Sequence, residues 1–309
     1  MSIERHFIES REQWLAVRSQ DVTASVVGGL FGVHPYATAL KLYLQHSGIE
    51  FDDRDNKVKR RGRIMESAVA AAVSEAHPEW RIEKSKYYYR DPDLRLGATP
   101  DFLILDDPRG LGVLQTKSVY SFVWERDWHG GTAVPFWIQL QALVEAMMTD
   151  AAFAVVAEVH SFDMDHTEHE IPRHPGAEKR ITDAVAQFWL DVEQHDEPDA
   201  DYGKDAELLR AIAPHEIKGK VLDLSGDNRW PAKLDLREQL VERRDGCIKQ
   251  IEEIDTELKF DMRDAESVTG LPDWSVSWKT SHRPEYIVRA KDIRTLRIHH
   301  RNKDKPDAA

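Results

Sequence analysis

The chain is poor in cysteine: Cys247 is the only one in 309 residues. That excludes an internal disulfide and a four-cysteine iron–sulfur cluster, and it suits a reducing compartment. Long apolar runs are missing too. No stretch approaches the roughly 18 consecutive apolar residues of a membrane span. The opening Met1-Ser2-Ile3-Glu4-Arg5-His6 has none of a signal peptide's apolar region. The expectation is a cytoplasmic protein with no membrane partner. Positive charge is in deficit, and a net charge of −13 argues against nonspecific polyanion binding by the whole surface. A local basic channel remains compatible with it. Internal repeats and low-complexity tracts are absent. What is present, 41% hydrophobic residues with nine Trp, suffices for one large core with an appended unit.

Leu96 to Ser118 (LGATPDFLILDDPRGLGVLQTKS) carries the densest pattern. Gly97-Ala98-Thr99-Pro100-Asp101 reads as a turn and Phe102 to Leu105 as a short strand. Asp106-Asp107-Pro108-Arg109-Gly110 has strong loop chemistry, and Leu111 to Lys117 reads as a second strand. A side-chain period of two puts Gln115 and Lys117 on one face. Pairing of the two runs as a hairpin brings Asp101 to the end where Gln115 and Lys117 lie. A carboxylate, an oxygen ligand and an ammonium meeting there suit metal-assisted cleavage of a phosphodiester. An ordinary solvated hairpin fits the same short pattern.

The periodicity predicts a helix over 4–19, a short helical run from Ala24 to Leu30 capped by Asp21 or Thr23, and a helix from Pro35 to Leu44. Arg18 and Ser25 are placed to hold a phosphate at a helix N-terminus, or are a surface arginine and a cap. Arg54 to Arg63 holds six cations against one acid, and reads as a solvated face or a nucleic-acid contact. Arg61 to Ala76 is a strong helix with the stripe Ile64, Met65, Ala68, Val69, Ala72, Val73 and Ala76; Glu66 sits on its edge. Trp80 to Arg90 reads as a single strand, Val119 to Val134 as a loop, and Phe153 to Val159 as a buried strand. Phe136 to Thr149 (FWIQLQALVEAMMT) reads as a buried helix, in which Gln139 and Gln141 need hydrogen-bond partners. Ala177 to Gln194 is amphipathic. The acidic stretch from His195 to Asp205 marks a boundary between a core of residues 1–195 and an extension of residues 196–309. The extension carries a long helix over Pro231 to Phe260 and late strands at Val276 to Lys279 and Thr295 to His299.

Taken in order, Arg18 and Ser25, Glu66 within RGRIMES, Asp91, Gly97 to Asp101, Lys117 and the Gln139-Leu140-Gln141 helix resemble the phage lambda-type exonucleases. These form the YqaJ-like viral recombinase branch of the PD-(D/E)XK nucleases, and the resemblance spans about residues 10–190. It implies an α/β fold with a central mixed sheet flanked by helices, and Mg²⁺-dependent hydrolysis of DNA, with Mn²⁺ able to substitute. Asp101 matches the metal-binding aspartate, Lys117 the catalytic lysine, Glu66 the helix glutamate at the metal and Asp91 an acidic position nearby. The Thr116 carbonyl completes the implied ligand set. Arg18 and Ser25 match residues holding a DNA 5′-phosphate, and Gln139 matches the glutamine on the helix beside the site, with Gln141 in support. Arg60, Arg61 and Arg63 would guide the DNA backbone. The chain departs from the pattern at Gln115, where the family has Glu or Asp. A glutamine oxygen still binds Mg²⁺ but brings no charge and cannot act as a base.

The activity so implied is 5′-to-3′ degradation of linear duplex DNA in phage or prophage recombination, beside a single-strand annealing partner and in a homotrimer. The alternative is a catalytically weak or silent DNA-end-binding protein. A CRISPR-associated or helicase-linked nuclease is disfavoured by the missing cluster cysteines and the lack of a helicase motif.

Overall fold

The computed structural model describes residues 2–49, 57–160, 165–282, 296 and 298. Close contacts divide the chain into two units, residues 1–213 and 214–309. The acidic stretch after His195 therefore lies inside the first unit, where Thr38 Oγ1 donates to Asp205 Oδ1 (2.7 Å).

Strand β1 (Glu4–Phe7) precedes helix α1 (Arg11–Arg18). The expected single helix over 4–19 is broken because the Ser10 hydroxyl accepts from Gln13 N (3.1 Å) and starts the helix there. Strand β2 (Val22–Thr23) and a 3₁₀ turn (Val27–Phe31) follow. That turn has no side-chain cap, so neither Asp21 nor Thr23 plays the expected capping part. Helix α2 (Ala39–His46) begins at Thr38, whose hydroxyl accepts from Lys41 N. Helix α3 (Lys57–Ala76) buries Val69, Ala70 and Val73, whereas Ile64 is exposed.

The run Trp80 to Arg90 is two strands in different sheets, β3 (Arg81–Lys84) and β4 (Tyr87–Asp91). Strands β5 (Leu96–Ala98), β6 (Phe102–Leu105) and β7 (Gly112–Ser118) come next. The first half of the predicted Gly97–Asp101 turn thus belongs to a strand. Helix α4 (Ser121–Asp127) occupies the stretch read as a loop, and helix α5 (Phe136–Thr149) falls where expected. Strands β8 (Phe153–Val159) and β9 (His166–Pro172) then lead to helices α6 (Pro175–Gln194) and α7 (Ala206–Ile212). In the second unit, α8 (Arg229–Met262) precedes a small hairpin, β10 (Ser267–Val268) and β11 (Val276–Ser277). The strand expected at Thr295–His299 lies almost wholly outside the described residues.

The first unit has two mixed sheets, ordered β3-β6-β7-β8-β9 and β1-β4-β5-β2. In the larger one β7 and β8 run parallel and the other pairs antiparallel. Val69 and Val73 of α3 cover one face of this sheet, over Ile104, Leu114 and Val155. Ile138, Ala142 and Ala146 of α5 cover the other, over Val113, Ala154 and Val156. The opposite side of α5 (Leu140, Leu143, Val144, Met147) packs with Val22, Leu96, Ala98 and Val185. Helix α5 is thus clamped between the sheets, so an apolar sequence on every side suits it. A mixed sheet flanked by helices is the architecture the resemblance implied.

Candidate active site

The β6–β7 hairpin pairs Phe102 with Leu114 and Leu103 with Val113. Continuing that register sets Asp101, just ahead of β6, against Gln115. Alternation along β7 turns Gln115 and Lys117 to one cavity of about 520 Å³, which Asp101 and Thr116 also line. From α3 the cavity receives Glu66, and from α5 Gln141 and Glu145. The expected convergence of Asp101, Gln115 and Lys117 is therefore present.

A continuous row of hydrogen bonds joins these groups. Lys117 Nζ donates to Gln141 Oε1 (3.1 Å). The Gln141 amide nitrogen donates to Gln115 Oε1 (3.0 Å) and to Glu145 Oε1 (2.9 Å). Gln115 Nε2 then donates to Asp101 Oδ2 (2.6 Å). An ammonium only donates and a carboxylate only accepts, so the two ends of the row fix the sense of both amides. The same Asp101 oxygen accepts from Thr116 N (2.9 Å) and Thr116 Oγ1 (2.8 Å). This corrects one expectation. The Gln115 oxygen is engaged by Gln141, and it is the amide nitrogen of Gln115 that meets Asp101.

Burial dominates the electrostatics. It raises the Asp101 carboxyl above its ordinary range against the pull of the Lys117 ammonium and the Thr116 donors. Burial raises Glu66 as well, with the Asp101 charge adding to the rise, while its ion pair to Lys84 Nζ (3.2 Å) opposes it. Glu145 is pushed up to about 8, first by burial and then by Asp101.

On another wall of the cavity, Arg18 Nη2 lies 3.4 Å from both Thr23 Oγ1 and Ser25 Oγ, which are 3.1 Å apart. The guanidinium stacks over the Trp14 ring at 4.1 Å, and Trp14 Nε1 donates to Thr99 Oγ1 (2.9 Å). Arg18 and Ser25 thus come together as expected, with Thr23 as an unforeseen third member.

Other expected members lie elsewhere. Asp91 is buried and its Oδ1 accepts from Asp93 N (3.0 Å) and Leu94 N (2.9 Å), so it caps a turn. Gln139 Nε2 donates to the Val134 carbonyl (2.7 Å) at the start of α5 and does not line the cavity. The basic run is described from Lys57 onward. Of it Lys59 and Arg63 line the cavity, while Arg60 and Arg61 do not; Arg61 instead stacks over Tyr120 at 4.3 Å. Glu145 escaped sequence reasoning. Its signal was available: it is the one carboxylate within Phe136–Thr149, four residues after Gln141 and hence on the same helix face.

The donor set suits a hard divalent cation. Asp101, Glu66 and Glu145 present carboxylate oxygens to one cavity, and Glu145 Oε2 is buried with no hydrogen-bond partner. Among the described residues no three His, Cys, Asp or Glu side chains form a ready-made cage.

A mixed sheet between helices, with an aspartate and a lysine converging at one end of a β-hairpin, is the arrangement that the resemblance to the PD-(D/E)XK nucleases implied. Residues 13–152 match the family model of the YqaJ-like viral recombinase domain. The chain is 24% identical over 268 residues to the uncharacterized protein YqaJ of Bacillus subtilis strain 168, covering 83% of this chain and 80% of that one. Among solved structures it is similar to an alkaline exonuclease (LHK-Exo) from Laribacter hongkongensis, at 20% identity and a TM-score of 0.49. That alignment covers 60% of this chain and 93% of the other. A phage-related exonuclease from Haemophilus somnus 129PT aligns at 12% identity and a TM-score of 0.41, over 57% and 96% of the two chains. No helix among the described residues is long and apolar enough to cross a membrane.

Proposed function

We propose that this protein is a metal-dependent deoxyribonuclease that removes nucleotides from the 5′ end of linear duplex DNA. The observation that carries the reading is one cavity lined by Asp101, Glu66 and Lys117 with Arg18 and Ser25 on its wall. Asp101 Oδ2 already accepts three hydrogen bonds, which orients the carboxylate and leaves Oδ1 for a cation. Asp101, Glu66 and the Thr116 carbonyl would hold Mg²⁺ or Mn²⁺. When bound, the ion polarises the phosphodiester and makes water a better nucleophile. Lys117, held by Gln141, stabilises negative charge growing on the phosphate oxygens. Arg18, Thr23 and Ser25 offer a cation and two hydroxyls to a terminal phosphate, and Lys59 and Arg63 attract the backbone at the cavity mouth.

The family supports a role in phage or prophage recombination, beside a single-strand annealing protein in the host cytoplasm. A homotrimer belongs to the same reading, and sedimentation equilibrium tests it. The activity test is digestion of end-labelled duplexes carrying 5′-phosphate or 5′-hydroxyl, and of closed circles, in Mg²⁺ and Mn²⁺. Fast loss of the 5′-phosphorylated linear duplex and survival of circles are expected; equal attack on circles overturns the end specificity.

A second reading, end binding with little cleavage, is favoured by Gln115. Its amide lies against Asp101 where the family has a carboxylate. The variant Gln115→Glu separates the two: cleavage appearing only in the variant supports the second reading.

A further inference from the structure

We propose that Glu145 supplies the negative charge that position 115 lacks, so that the second acid of the metal site has moved from strand β7 to helix α5. The inference rests on the nuclease reading above and assigns a residue that the family pattern does not include.

Three observations carry it. Glu145 is only 1% exposed, yet its Oε2 meets no donor. A buried carboxylate without a counter-charge costs several kcal/mol in any protein, and such groups are found paired or on metals. Its neighbours along α5, Leu143, Val144, Ala146 and Met147, all join the apolar cores, and among the described residues Gln141 Nε2 is the one side-chain donor that its carboxylate meets.

The second observation is position. Glu145 lines the same cavity as Asp101 and Lys117, and the two amides tie it to them. Gln141 donates to both Glu145 and Gln115, and Gln115 donates to Asp101, so the amide pair links the two acids. A glutamate at 115 would set a second anion directly against the Asp101 oxygen that now accepts from Gln115. With the acid at 145, the amide pair separates the two anions and the charge stays on the cavity.

The third is balance. Within this hydrogen-bonded network Lys117 is the one cation, against the two acids Asp101 and Glu145. Glu66 already has its own ion pair with Lys84. With both acids ionised the network would carry one excess negative charge, which a divalent cation would neutralise.

The test reads metal binding by the DNA-free protein. Mn²⁺ affinity is measured by titration calorimetry at neutral pH for wild type, Glu145→Gln, Gln115→Glu and the double variant. Glu145→Gln keeps the acceptor for Gln141 and should weaken Mn²⁺ binding by about tenfold or more, the scale of lost ligand-shell groups. The double variant, with its acid back at 115, should return to within about threefold of wild type. Gln115→Glu alone should bind more tightly than wild type, a readout that does not depend on Glu145→Gln folding. Unchanged affinity in Glu145→Gln, no recovery in the double variant, or no tightening in Gln115→Glu overturns the inference. If wild type neither binds Mn²⁺ nor cuts DNA, the nuclease reading itself has failed. If wild type does both and Glu145→Gln binds equally well, the inference alone has.

Discussion

Two glutamines, two residues apart on α5, should respond to the same substitution in very different ways. Gln141 is buried and makes three hydrogen bonds, two of them to the ionisable side chains of Lys117 and Glu145. Replacing it by leucine conserves volume but leaves the buried Gln115 Oε1 and Glu145 Oε1 without their donor. Each abandoned buried polar group costs about 1–3 kcal/mol, and more when charged. Lys117 faces the cavity and recovers water, so its loss is small. Gln141→Leu should therefore destabilise the protein by about 3–5 kcal/mol. Gln139 is half-buried and gives one bond, to the Val134 carbonyl, so Gln139→Leu should cost about 1 kcal/mol or less. Equilibrium urea unfolding of the two variants at pH 7.5, with common slopes, measures the difference. Equal destabilisation, or a Gln141→Leu protein as stable as wild type, would refute the continuous row from Lys117 to Asp101.

Lys117→Ala should lower the rate of duplex digestion by about 10²–10³-fold, the scale of losing one charge-stabilising donor; a rate within a few-fold of wild type removes Lys117 from the chemistry. The imidazole of His34 is held down to about 4 by burial, and its Nδ1 accepts from Tyr36 N (3.0 Å) and Ala37 N (2.8 Å). Its folded pKa lies below its unfolded one, so its contribution is present above about pH 6.5 and is lost as pH falls toward 4, by at most about 3 kcal/mol. Urea midpoints from pH 7.5 to 4.5 should fall less steeply in His34→Asn than in wild type, and parallel slopes would refute this. A Cβ on Gly97 would overlap the buried Tyr88 hydroxyl, which donates to Asp21 Oδ2 (3.0 Å). Gly97→Ala should cost about 3 kcal/mol by overpacking, and an unchanged melting temperature would refute that contact.

The β6–β7 hairpin was readable because its alternation and its Asp-Asp-Pro-Arg-Gly turn agree with one another. Helix α5 was readable from its unbroken apolar run. That same run hid Glu145, because a helix buried on every side has no polar face against which an odd carboxylate stands out. Phe7 and Ile8 continued the apolar spacing of α1, so strand β1 was absorbed into it, and only the Ser10 cap marks the break. Strand β9 (HTEHEIP) is half-exposed with little apolar content, and α4 buries none of its residues, so neither offers a hydrophobic period. Asp91 shows the opposite failure. It is an acid close in sequence to the site, yet its oxygen is spent on two backbone N–H groups of the following turn. Spacing along the chain gives proximity in sequence, while direction comes from the turn that the acid itself closes.

The most direct test of the central claim is a crystal soaked in Mn²⁺ and recorded at a wavelength where manganese scatters anomalously. The account predicts a peak in the cavity within coordination distance of an Asp101 oxygen, abolished in Asp101→Asn. A cavity without a peak, in crystals of a protein that still digests duplex DNA with Mn²⁺, would contradict it.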